Sequence, residues 1–180
     1  MSVYDLIKNR KTVYSFLEKP IKEELIIDIL DAARLAPAAG GIHEYEFVVV
    51  SEKEKKDELS KICLTPNINS APFIIVVVCD PQKLETMFGE EGDEVFCVEN
   101  AALAIENILL CCAEQKLGSA WIATVNQVAV RSLLGIPENY IVRGVIPVGY
   151  PKEGGKGVYQ LSKPHLKEIT HIESFNNKAV

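Results

Sequence analysis

From Met1 to Lys22 the chain carries Lys8, Arg10, Lys11, Lys19 and Lys22 against only Asp5 and Glu18, so a local anion site is possible there, with Arg10 and Lys11 among its cations. The same cations would also meet the C-terminal dipole of a helix ending just before them, and the residues alone leave both readings open. Other signatures of chemistry fail when checked. Lys156 is followed by Gly157 rather than Ser or Thr, and Tyr150 stands where a phosphate-binding P-loop needs its first glycine. No Gly-x-Gly-x-x-Gly follows a strand pattern and no Gly-x-Ser-x-Gly occurs. Cysteines at 63, 79, 97, 111 and 112 include no Cys-x-x-Cys and sit mostly in apolar runs, so they read as buried thiols. His43, His165 and His171 lack ligand spacing, and no metal site is expected. Carboxylates are plentiful, yet no pair is marked out for acid–base work, and no catalytic side chain is nominated. If the chain is an enzyme, an organic cofactor carries the chemistry.

The elements that must position such a cofactor follow from periodicity. Val3, Leu6 and Ile7 predict a short first helix; Leu25, Ile26, Ile29, Leu30 and Ala33 predict a second, ended by Pro37 and Gly40-Gly41. Tyr45 to Val50 is a strand, and Ser51-Glu52-Lys53-Glu54 reads as a capping box opening a third helix. Phe73 to Val78 is apolar throughout, as a strand buried on both faces would be. The acidic run from Glu85 to Glu99 reads as a solvated loop and helix start. Val95 to Lys116 is a long helix, apolar almost all round, stopped by Gly118. Ala120 to Val125 and Ile141 to Val148 complete the strands, with a helix over Val128 to Leu134 between them. After Tyr150-Pro151, residues 152–157 form a glycine-rich connector to a tail with few apolar residues. The expected fold is α+β, three layers around a mixed or antiparallel sheet of four to five strands. It occupies one domain, 1–180, with 151–180 as a C-terminal arm.

Composition narrows the function. The net charge of −6 disfavours nucleic acid as a partner, because phosphate backbones select basic surfaces. No apolar signal segment opens the chain, and the longest apolar stretch is interrupted by Glu99, Asn100, Glu106 and Asn107. No membrane span is expected, and a reducing cytoplasm fits the thiols. One small sheet cannot cover the long helix on every side, so a homodimer is expected, with the arm reaching the partner.

Four segments taken together resemble the nitroreductase flavoproteins. They are Arg10 to Phe16, Ala33 to Val50, Glu99-Asn100-Ala101-Ala102 through Leu117 to Ile122, and Ile146 to Pro151. The resemblance implies FMN as cofactor, with phosphate and ribityl contacts on Arg10, Lys11, Thr12 and, toward the C-terminus, Ser162 or Lys163. Tyr14 stands where the family favours Arg or Lys. The flavin's pyrimidine edge falls to Asn67, with Asn69 beside it; both also suit a plain turn after Pro66. Backbone N–H groups of Ile122-Ala123-Thr124 would face flavin N5. The family's Ala-Pro-Ser-x-x-Asn-x-Gln-Pro-Trp signature reaches the flavin from the partner subunit. Here Pro37 is kept, whereas Ala38, Gly41, His43, Glu44 and Tyr45 take the places of Ser, Asn, Gln, Pro and Trp. Contacts from Pro37, Ala38, Ala39 and Gly41 are then expected through the backbone.

The implied activity is an oxidoreductase in which NAD(P)H reduces FMN and the flavin reduces a small nitro, quinone or enone-like acceptor. The alternative is a flavin-binding carrier or sensor without turnover.

Overall fold

A computed structural model describes residues 2–152, 158–159 and 162–178. In chain order the elements are α1 (Val3–Asn9), β1 (Thr12–Val13), α2 (Glu23–Arg34), β2 (Tyr45–Val50), α3 (Lys53–Ile62), β3 (Phe73–Cys79) and α4 (Gln82–Phe88). They continue with α5 (Cys97–Glu114), β4 (Gly118–Ser119), α6 (Gln127–Leu134), β5 (Ile141–Gly149), β6 (Val158–Tyr159) and α7 (Leu166–Ile169). Among the described residues six strands make one mixed sheet, in the order β2-β3-β5-β4-β1-β6. The expectation was four to five; β1, β4 and β6 have two residues each, too few for an alternation to be visible.

The period-2 geometry of β3 organises the core. Successive side chains of a strand point to opposite faces, and every residue of β3 is buried. Phe73, Ile75, Val77 and Cys79 join the core under α2 and α5, while Ile74, Val76 and Val78 join the core under α3 and α6. Full burial of one such side chain contributes about 1.5–3 kcal/mol, so a polar residue anywhere in this strand would harm one layer or the other. In β5 the alternation is broken once. Val77 pairs with Gly144 and Val78 with Val142, which leaves Arg143 as an extra residue, a bulge that re-aims its side chain.

Several expectations change. Ser51 forms no capping box, since α3 starts after Glu52 and has no side-chain cap bond. The long helix runs Cys97–Glu114 and is preceded by a π-turn over Gly92–Phe96. The acidic run is therefore mostly helical, from α4 onward. Gly92 packs tightly there, for an added Cβ would stand 2.6 Å from the Leu84 backbone. The chain leaves α5 through Lys116 in the left-handed region, φ 60°, and Gly118 belongs to β4 instead of ending the helix. Ala120 to Val125 is irregular apart from one bridge, Ile122 to Val145. Asn100 replaces an apolar contact on the buried face of α5, whereas Val98 and Leu103 remain exposed.

Candidate functional site

Ser2 caps α1: its Oγ accepts from the Asp5 N–H at 3.1 Å, and Asp5 Oδ2 accepts from the Ser2 N–H at 3.0 Å. Arg10 then ends the helix in an extended conformation, turning the chain straight into β1. That strand needs a neighbour without a side chain. A Cβ on Gly118 would stand 2.8 Å from Val13 Cβ, so glycine lets β4 lie parallel to β1, with Thr12 opposite Ser119. On the far side, Lys152 N donates to Ser15 O at 3.1 Å, and Phe16 bridges Pro151.

These constraints open a cleft of about 350 Å³ between α1, the end of α5, β4 and the segment after β5. Arg10, Lys11, Lys116 and Lys152 stand around it, with Asn9 and Ser119 as neutral polar groups and Val13, Leu109, Ala113 and Leu117 as an apolar floor. Arg10 Nε lies 3.6 Å from Glu106 Oε1, with side chains 24% and 47% exposed. Such a half-exposed pair contributes at most about 1 kcal/mol, so an anion with better geometry can displace Glu106. Four cations around an apolar floor suit a ligand with an anionic end and a flat or aliphatic body.

A second cleft of about 260 Å³ is lined by Asn67, Asn69, Ser70, residues 15–18 and Lys152, so that Lys152 borders both. Asn67 adopts φ 74° and starts a 3-10 turn over Ile68–Ser70, as the turn reading of this residue requires. Asn69 Nδ2 donates to Asp57 Oδ1 at 2.7 Å.

The remaining expected site residues are spread out. Thr12 is half-buried in β1 between two residues of the larger cleft, and Tyr14 packs against the core under α3 and α6. Ile122 is buried while Ala123 and Thr124 are exposed; the three line neither cleft. Ser162 and Lys163 are exposed and also line neither. Pro37 and Gly41 are exposed, and the turn Ala39–Gly41 uses positive φ at both glycines. That turn is held by α5: Asn100 Oδ1 accepts from the Ala39 N–H at 2.9 Å, and Asn100 Nδ2 donates to Ile42 O at 3.3 Å. One chain thus gathers Arg10 and Lys11 at one cleft and Asn67 at the next, and leaves 37–41 and 122–124 elsewhere.

Lys116 and Lys152 were not expected at the site. Lys116 looks like an ordinary cation after a helix, and its place opposite Arg10 depends on α5 packing beside α1. Lys152 reads as connector until the Pro151 bridge to Phe16 fixes it. A cation at the first position after a strand-ending Tyr-Pro was the available signal.

The family model described as "Nitroreductase family" matches residues 7–70 and 63–150 of the chain. An Archaeoglobus fulgidus protein is 33% identical over 178 residues, covering 94% of this chain and 97% of its own length. One from Methanothermobacter thermautotrophicus is 31% identical over 175 residues, covering 93% and 88%. Both bear the name "Putative NADH dehydrogenase/NAD(P)H nitroreductase". Among solved structures, an FMN-dependent nitroreductase from Clostridium difficile R20291 superposes with a TM-score of 0.77 at 29% identity, covering 94% of this chain and 98% of that one.

Proposed function

Because the chain belongs to the nitroreductase family, we propose that it is an FMN-dependent oxidoreductase. It would take electrons from NADH or NADPH and pass them to a small nitro, quinone or enone-like acceptor. The observation that carries this reading is the cleft ringed by Arg10, Lys11, Lys116 and Lys152. Its donor set fits the phosphate of FMN, with Ser119 and Asn9 for the ribityl hydroxyls. Bound FMN would supply two-electron redox chemistry through its ring. The chain's own part is to hold the phosphate, to orient the ring and to place positive charge near it.

At about 350 Å³ the cleft is at the lower end of the roughly 300–1,000 Å³ usual for small-molecule sites. Arg10, Lys11, Lys116 and Lys152 would hold the phosphate within one chain, and Asn67, in the neighbouring cleft, and a partner subunit would be left to meet the ring. A homodimer would supply Pro37 to Gly41 from the second chain. It would also cover exposed apolar residues of α1, α5 and the C-terminal arm, among them Tyr4, Leu103, Leu166 and Phe175. Ser162 and Lys163 would reach a phosphate only in that assembly. The chain acts as one flavin-binding domain over 1–180 in this reading, and the cytoplasm is its proposed compartment. Among the described residues no helix is long and apolar enough to cross a membrane.

The test is the absorption spectrum of purified protein loaded with FMN, followed anaerobically after adding NADH or NADPH. Bound flavin that bleaches and is reoxidised by menadione or a nitroaromatic is the expected result. Protein that stays colourless with excess FMN refutes the proposal. Flavin that binds but resists both nicotinamides and other donors identifies a carrier or sensor, the reading favoured by Ala38, Gly41 and His43 in place of the family's side-chain contacts.

A further inference from the structure

Away from the basic cleft, buried polar side chains from four parts of the chain converge. Glu44, just ahead of β2, is 0% exposed. Its Oε2 accepts from Asn100 Nδ2 at 2.9 Å, and its Oε1 has no hydrogen-bond partner among the described residues. Cys79 ends β3 and Cys97 opens α5; both are 0% exposed. A carboxylate oxygen of Glu44 and the two Sγ atoms all lie within 4.8 Å of one another. Arg143, the bulge residue of β5, donates from Nη2 to Cys97 Sγ at 3.3 Å.

We propose that Glu44, Cys79 and Cys97 form a binding site for a thiophilic divalent cation of the zinc class. The first reason is the orphaned oxygen. A fully buried carboxylate with one oxygen unpartnered is costly, and a cation held by the Glu44 carboxylate and the two sulfurs would offset that cost. The second is donor chemistry, since two sulfurs and a carboxylate select zinc and its soft neighbours over magnesium or calcium. Geometry agrees. Ligands about 2.0–2.3 Å from one zinc stand about 3.3–3.8 Å apart in a tetrahedron, so small side-chain rotations close the present spread onto an ion. Charge agrees as well: two thiolates and a carboxylate balance the two charges of zinc and the one of Arg143.

The surroundings match what metal ligands usually have around them. Asn100 fixes the carboxylate, and the Arg143 N–H donates to the Cys97 sulfur. On binding, two S–H bonds break and two sulfur–metal bonds form, the protons go to solvent, and no electrons move. A tetrahedral fourth position is left for water. Sequence spacing hides the site, because its ligands come from a loop, a strand end and a helix start.

The experiment uses the reduced full chain with its flavin. It is dialysed with zinc chloride, freed of excess, and assayed for zinc per chain and by zinc K-edge absorption fine structure. One zinc per chain with two sulfur scatterers is expected. Cys79→Ser and Cys97→Ser should each lower affinity at least a hundredfold, and Glu44→Gln about tenfold or more. Cys63→Ser should leave zinc binding unchanged. The scattering spectrum of the unaltered protein reads the ligands even if a variant fails to fold. Zinc below a tenth per chain, a shell without sulfur, or equal binding by Cys79→Ser overturns the proposal. So does a chain that takes up no zinc but closes Cys79 to Cys97 as a disulfide with diamide. Flavin absorbance in the same samples reports separately on the oxidoreductase reading.

Discussion

Replacing Arg10 with alanine separates a phosphate ligand from a helix-end residue. A hydrogen bond to a charged group contributes about 1.5–3 kcal/mol, and about 1.4 kcal/mol is a factor of ten in affinity. Arg10→Ala should therefore weaken FMN about tenfold to a hundredfold. The structure refines that figure. Arg10 is paired with Glu106 at 3.6 Å, so FMN must compete for it, and with both side chains partly exposed that competition costs at most about 1 kcal/mol. Glu106→Gln should consequently tighten FMN, by no more than about fivefold. Riboflavin lacks the phosphate and should bind equally to parent, Arg10→Ala and Glu106→Gln. Titration of both flavins by fluorescence quenching measures all six constants. An equal loss of both flavins in Arg10→Ala, or weaker FMN binding in Glu106→Gln, would refute the assignment and leave Arg10 as a residue that ends α1.

Asn100→Ala should lower unfolding free energy by about 3–5 kcal/mol in urea titrations, because it strips three hydrogen bonds and leaves the buried Glu44 carboxylate without its donor. A loss below about 1 kcal/mol would contradict that role. Gly118→Ala should cost about 1–3 kcal/mol through collision with Val13 and should weaken FMN more than riboflavin, read by melting temperature and flavin titration together. Burial pushes the Cys63 thiol up to about 11 from an ordinary value near 9. A raised acid favours the folded state at low pH, so stability should fall by about 2–3 kcal/mol between pH 9 and 11, and Cys63→Ala should lack that component of the slope. Light scattering at micromolar concentration should give a particle near twice 19.9 kDa; a monomer would remove the partner's part in the flavin site.

What the sequence made legible is what local pattern controls. The unbroken apolar run from Phe73 identified the central strand, and the stripe from Leu25 to Ala33 identified α2. Arg10 and Lys11 were singled out by the resemblance of residues 10–16 to the nitroreductase flavoproteins, since as residues alone they suit a helix end equally well. The features that stayed hidden depend on contacts between distant segments. β1 and β4 exist because Thr12 and Ser119 meet, and two residues carry no periodicity. Gly118 looked like a helix stop because glycine serves there too; the close approach of Val13 is invisible until the sheet forms. Lys116 and Lys152 join Arg10 only in space, and so do Glu44, Cys79 and Cys97.

The parallel pairing of β1 with β4 has a kinetic side. Thr12 reaches Ser119 only after the chain between them has been gathered up, and such closure carries an entropy cost before any contact repays it. The β2-β3-β5 pairing, by contrast, runs over six and seven partnered positions. The edge that carries the basic cleft should therefore open more readily than the central strands. Amides of β1 and β4 should exchange with deuterium far sooner than those of β3, and an occupant of the cleft would slow them selectively. A ligand there acts as a clasp, fastening the chain just after α1 to the end of α5 and to the segment that follows β5.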